Sequence, residues 1–270
     1  MAVSSYVQNC YTMILLFIAI YIGLEPWISD DLKVLSLVSE RSNLSKYLFV
    51  LYFLPELSWD WTGKEINDRS DIYKAFFYLS RLLSCAVGAI SSLDFLHKIT
   101  SKNVVIISSV QIVAYLSVTG CIYFAMKLTS ARAGRAVVYR VSDPSSRLIL
   151  FDGCFQFLFA IGLLFFTGDL PSLFATTIKV GRLDLLLSRL VAGSSLGLSI
   201  FNFASVGLPE DEANILITAR KVQYTITCAF MFAMSAAKWF SPVHTAVVAL
   251  YICQLVHVLL PAANSEISEK

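Results

Sequence analysis

The chain is an all-α integral membrane protein of about seven transmembrane helices. Three observations predict this. It is 57% hydrophobic and only 15% charged, with mean hydropathy +0.69, more apolar surface than a soluble domain of 270 residues can hide. Seven stretches approach the roughly 20 apolar residues needed to cross about 30 Å of hydrocarbon: 10–27, 75–96, 104–126, 148–167, 183–204, 222–240 and 243–263. Finally, none shows the short alternating pattern of a membrane β-barrel, and backbone within lipid must satisfy its own hydrogen bonds, so the segments are helices.

The first span (10–27) has no Lys or Arg before Cys10 and no small-x-small site before Pro26, which favours an uncleaved anchor over a signal peptide. The stretch 28–74 is mixed in charge, eight acids to six bases. It carries an apolar run, Tyr47–Leu54, closed by Pro55 and followed by Trp59 and Trp61. That run is too short to span, and flanking tryptophans suit the headgroup level. Residues 44–57 therefore read as an interfacial or re-entrant helix, or equally as a helix packed on the protein's own polar side. The spans 75–96 and 104–126 complete a first unit, 1–126. A basic linker, 127–147, precedes a second unit, 148–263, holding the spans 148–167, 183–204, 222–240 and 243–263. The tail is 264–270.

Sliding the chain by 108 positions aligns 75–126 with 183–234 and matches eleven of 52 residues. Among them are the runs Leu79-Ser80-Arg81-Leu82 with Leu187-Ser188-Arg189-Leu190, and Phe124-Ala125-Met126 with Phe232-Ala233-Met234; Asp94 falls opposite Asn202. An offset of 145 adds the first and fourth spans, matching Gly23 with Gly168 and Pro26 with Pro171, with 37 extra residues in the first unit. The pattern predicts a 3+3 duplication plus one C-terminal helix. Three spans per unit is odd, so the second unit starts on the opposite face, as in the inverted repeats of many transporters.

Loops expected on one side hold fourteen Lys and Arg, and those on the other hold five. The asymmetry places the N-terminus outside and the C-terminus in the cytoplasm, or in the matrix of a mitochondrion. Asn43-Leu44-Ser45, a glycan acceptor only in a secretory lumen, should then stay unmodified.

Gly193-Ser-Ser-Leu-Gly197 is a GxxxG sequence, and small residues four apart let helix backbones approach closely in lipid. The second and fifth spans are expected to pack on each other, or on a second copy, through the Ser84/Gly88 and Gly193/Gly197 faces. Charged and amide side chains within spans are candidate sites because they need partners there: Arg81, Asp152, Arg189, Gln111, Gln156 and Gln223. Arg81 and Asp152 enter from the same side and form a candidate ion pair; Arg189 has Asp184 or Asp169 within reach. Snorkelling to phosphates is the plainer alternative for both arginines.

Chemistry is otherwise thin. The six cysteines are unclustered and suit packing. His97 and His257 fall at opposite ends, which disfavours bis-histidine haem, and no hydrolase, nucleotide or metal motif occurs. The expectation is a non-enzyme without cofactors. Its partners would be the bilayer and other membrane proteins or a second copy, not nucleic acid. Two functions fit: a scaffold or accessory subunit of a membrane complex, or a small-solute or ion transporter or channel with Gln111, Gln156 and Gln223 lining a midplane cavity.

The segment from Arg189-Leu through Gly193-Ser-Ser to Asn202-Phe203, with the Gly168-Asp-Leu-Pro171 exit before it and a helical hairpin after it, resembles the p53-inducible four-span membrane proteins and their uncharacterised bacterial relatives. The resemblance covers about 148–263. It implies a four-helix plan for the second unit and brings no chemistry with it.

Overall fold

In a computed structural model, residues 71–98, 104–131, 144–166, 182–206, 208 and 210–236 are described. They form α1 (Asp71–Lys98), α2 (Val104–Ser130), α3 (Pro144–Phe165), α4 (Arg182–Ala204) and α5 (Glu210–Ala236). Four helices are long and apolar enough to cross a membrane: Tyr73–Lys98, Val110–Ser130, Pro144–Phe165 and Arg182–Ala204. The chain is thus a multi-pass α-helical membrane protein. The expected spans 10–27 and 243–263 lie outside the described residues, as do almost all of the 28–74 segment, His244, His257, Asp169 and the sequon.

The helix ends follow local chemistry. α1 runs from Asp71 to Lys98, and Lys98 in its last turn complements the negative end of the helix dipole. α2 runs past its expected end at Met126 because Lys127 suits a C-terminal turn, and two hydroxyls take up carbonyls there: Thr129 donates to Met126 O at 2.9 Å and Ser130 to Lys127 O at 2.9 Å. Pro144 opens α3, where its fixed φ and missing N–H cost nothing. α4 closes through Ser205, whose N–H is shared between Phe201 O and Asn202 O, both at 3.0 Å, and whose hydroxyl donates to Phe201 O at 2.7 Å.

α1–α4 fall in one compact unit, and α5 from Ile215 onward in another. Within the first, α1 packs on α2 and α4, and α4 packs on α1 and α3. Consecutive helices α1 and α2 are antiparallel: Tyr78 meets Phe124 (centroids 6.4 Å apart), and Cys85 and Gly88 face Gly120 and Ser117. α1 and α4 are also antiparallel. Phe77 packs edge-on against Phe201 at 6.0 Å, Val87 against Gly193, Gly88 against Leu190 and Asp94 against Arg189. α4 is the most enclosed, with 72% of its spanning window buried against 6% for α2. α2 instead turns Ile112, Tyr115, Leu116 and Met126 outward, a composition suited to lipid.

α5 differs from expectation at its start. The sixth span was to begin at Val222, with Arg220 and Lys221 in a preceding loop; the helix begins at Glu210 and carries both within it. Pro209 and the run Glu210-Asp211-Glu212 explain this, since acids in a first turn after proline favour a helix N-terminus.

Candidate functional site

The seam between α1 and α4 is made of small residues. Ser80, Gly88, Ala89, Ser91 and Ser92 on α1 and Ser188, Ala192, Gly193, Ser194, Ser195 and Gly197 on α4 are buried. A Cβ placed on Gly193 would lie 2.8 Å from Val87 Cβ and 3.3 Å from the Ser84 carbonyl oxygen. Only glycine admits that approach. Ser84 and Gly193 therefore meet directly, whereas Gly88 is pressed between Ser117 of α2 and Leu190 of α4 (2.9 and 3.4 Å from its would-be Cβ). Two of the seam's hydroxyls are satisfied within their own helices: Ser80 donates to Phe76 O and Ser188 to Asp184 O, each at 2.8 Å.

The polar centre lies at the α3–α4 contact. The buried residues of α3 are Ser146, Ile149, Asp152, Gly153, Gln156, Ala160 and Leu163, the spacing of a single helix face. Gly153 lets the helices close, since its would-be Cβ lies 2.9 Å from the Phe203 ring and 3.3 Å from Asn202 Cβ. Beside it Asn202 Nδ2 donates to Asp152 Oδ2 at 2.7 Å. Asp152 is 2% exposed and Asn202 0%. Asn202 Oδ1, Ser199 Oγ one turn earlier on α4, and Ser92 Oγ are buried without a hydrogen-bond partner among the described residues. The Asp152 carboxyl accepts the Asn202 amide proton beside an amide oxygen that accepts from no group among the described residues, a polar spot in an otherwise apolar contact.

The other predicted polar residues have further neighbours. Arg81 is half-buried with its guanidinium 5.6 Å from the Phe124 ring centroid, a cation–π geometry. Arg189 donates to Asp94 Oδ2 at 2.8 Å rather than reaching along its own helix, and Asp94 also takes Lys98 at 2.6 Å. Asp94 was missed because 95 residues separate it from Arg189 and periodicity holds no tertiary information; its place opposite Asn202 in the repeat was the available signal. Gln156 is buried one turn beyond Asp152 on α3, whereas Gln111 is exposed on α2. Gln223, on α5, accepts from buried Arg220, whose other terminal nitrogen donates to Tyr224 Oη at 3.1 Å. Arg220 was expected in a loop and is a helical, 2% exposed residue instead. His97 is exposed at the end of α1. Cys85, Cys121, Cys154 and Cys228 form no disulfide among the described residues, and no group of three or more His, Cys, Asp or Glu among those residues is placed to hold a metal.

Comparison with protein-family models, with characterised proteins and with solved structures found no match.

Proposed function

We propose that this chain is a non-catalytic scaffold or accessory subunit of a membrane complex, associating with other membrane proteins or with a second copy. The observation behind this reading is the α1–α4 seam, closed to side-chain and backbone contact at Gly193. A seam packed that tightly serves rigidity, since dispersion between close backbones is what holds helices together in lipid. α2, with its apolar side chains turned outward, offers surface to lipid or to a partner helix. Purification from the native membrane in mild detergent tests the reading. A fixed-stoichiometry assembly larger than the 30.0 kDa chain is expected, and a monodisperse single chain would contradict it.

The finer architecture we propose is seven spans in two inverted units of three plus a C-terminal helix, with the N-terminus outside and the C-terminus in the cytoplasm or matrix. Repeat mates behaving alike support the duplication: Ser80 and Ser188 bond alike and are both wholly buried, and Thr119 and Thr227 donate to the carbonyls of Tyr115 and Gln223 at 2.8 and 2.9 Å. α1 and α4, the mates carrying the Leu-Ser-Arg-Leu runs, also lie antiparallel, the relation an inverted repeat requires. The likeness of 148–263 to the four-span membrane proteins favours a helical plan of the same kind for the second unit.

A second reading, a small-solute or ion carrier, is favoured by Asp152. An acid 2% exposed within a span is a default candidate for an ion or proton pathway.

A further inference from the structure

We propose that the end of the α1–α4 seam formed by Lys98, Arg182 and Arg189 binds the head group of an anionic phospholipid. Three cations gather there around one carboxylate. Lys98 Nζ lies 2.6 Å from Asp94 Oδ1 and Arg189 Nη1 lies 2.8 Å from Asp94 Oδ2, so both oxygens of the acid are taken. Arg182, the first residue of α4, donates from Nη1 to the carbonyl oxygen of Lys98 at the end of α1. The end of a helix dipole carries only about half an elementary charge, less than the guanidinium that meets it. Asp184, the other acid of α4, is buried and has an interaction of its own. Lys98 and Arg182 are exposed and Arg189 is 38% exposed. The cluster thus presents an excess of positive charge, with N–H donors to spare, where a ligand can reach it.

Position selects the ligand. The spanning segments are Tyr73–Lys98 and Arg182–Ala204, so Lys98 and Arg182 stand together at the membrane boundary, the level of lipid phosphates. Below them on α1, Ile90 and Leu93 are 69% and 53% exposed. They precede Asp94 and His97 by one helical turn each and so share their face of the helix. An exposed apolar stripe leading up to a cluster of cations matches a molecule with an acyl chain below and an anionic head above. A free phosphate gains nothing from Ile90 and Leu93. Phosphatidylcholine brings a fixed cation beside its phosphate, which the cluster repels, whereas the head group of phosphatidylglycerol brings none. The site calls for anionic lipid in the leaflet that meets this end of the bundle, the outer one in the orientation proposed above. It depends on neither the scaffold nor the carrier reading.

The test uses the full-length chain in nanodiscs of equimolar phosphatidylcholine and phosphatidylglycerol, released for native mass spectrometry with its bound lipid. Retained phosphatidylglycerol should exceed phosphatidylcholine by roughly fivefold or more, the preference one basic side chain gives beside anionic head groups. The double variant Lys98→Gln/Arg182→Gln should lose most of that preference. Arg135→Gln/Arg140→Gln removes the same charge from the basic linker and should change it less. Equal retention of the two lipids by the wild type overturns the site, and so does an equal fall in both double variants, the mark of general charge attraction. Should the first double variant fail to fold, a phosphatidylglycerol with a photoreactive acyl chain decides in the wild type. Crosslinks at Ile90, Leu93 or their neighbours support the site, and crosslinks only outside α1 and α4 overturn it. A separate arm adds inorganic phosphate to the protein in phosphatidylcholine nanodiscs. A rise in Tm equal to that given by phosphatidylglycerol would assign the cluster to a free anion and remove the lipid.

Discussion

Asn202 of α4 donates its side-chain amide to Asp152 of α3 at 2.7 Å, joining the two helices through the most enclosed acid described in the bundle. The pair should be energetically coupled. Interhelical hydrogen bonds in membranes average about 0.6 kcal/mol and reach about 1.7 kcal/mol. In a double-mutant cycle, Asp152→Ala and Asn202→Ala should each destabilise, and the double variant should lose less than their sum. Strict additivity in refolding or thermal-shift measurements would show that the contact contributes nothing.

Gly193 and Gly162 should respond to alanine with opposite signs. A methyl at Gly193 meets Val87 Cβ at 2.8 Å and Ser84 O at 3.3 Å, whereas one at Gly162 meets nothing within 4 Å. Overpacking costs typically 1 to 3 kcal/mol, so Gly193→Ala should lower stability by about that much, and Gly193→Leu by more. Gly162→Ala should be neutral or gain up to roughly 1 kcal/mol of helix propensity. Thermal shifts of the two variants side by side check the contrast.

The Arg189–Asp94 bridge should contribute little. Its side chains are 38% and 31% exposed, and Lys98 shares the same carboxylate. Partly hydrated pairs of this kind contribute about 0 to 1 kcal/mol and are screened by salt. Arg189→Ala should therefore cost much less than Gly193→Leu, and the difference from wild type should shrink as salt rises. A loss of several kcal/mol would mean that Arg189 has a role beyond this bridge.

With the N-terminus outside and the 127–147 segment cytoplasmic, a cysteine introduced between 132 and 140 should resist impermeant thiol reagents in intact cells if the protein resides in the plasma membrane. Asn43 should carry no glycan. Labelling of the first site or glycosylation of the second would reverse the orientation.

The helices were legible because hydropathy over 18 or more residues has one solution in a bilayer. Expected spans 75–96, 104–126, 148–167 and 183–204 became 71–98, 104–130, 144–165 and 182–204, differing only where capping chemistry set the ends. Glycine spacing singled out Gly193, because only a close approach makes a lone Cβ matter. The partners were not legible. Asp94 for Arg189 and Asn202 for Asp152 depend on which helices neighbour each other, which hydropathy leaves open. Arg220 misled because a charge ahead of an apolar run reads as a loop, and its Gln223 and Tyr224 partners lie one turn away on the same helix.

The most direct test is of the α1–α4 core in the membrane. In a variant whose native cysteines are replaced, one cysteine is placed at Asp94 and a second at either Arg189 or Phe203, and a short bifunctional maleimide is added. The two α4 positions lie fourteen residues apart, about 21 Å along the helix. Antiparallel packing in one chain predicts that the 94–189 pair links at monomer mass and that the 94–203 pair does not. Linking of 94–203 in preference to 94–189, or links only between two chains, would contradict the core as described.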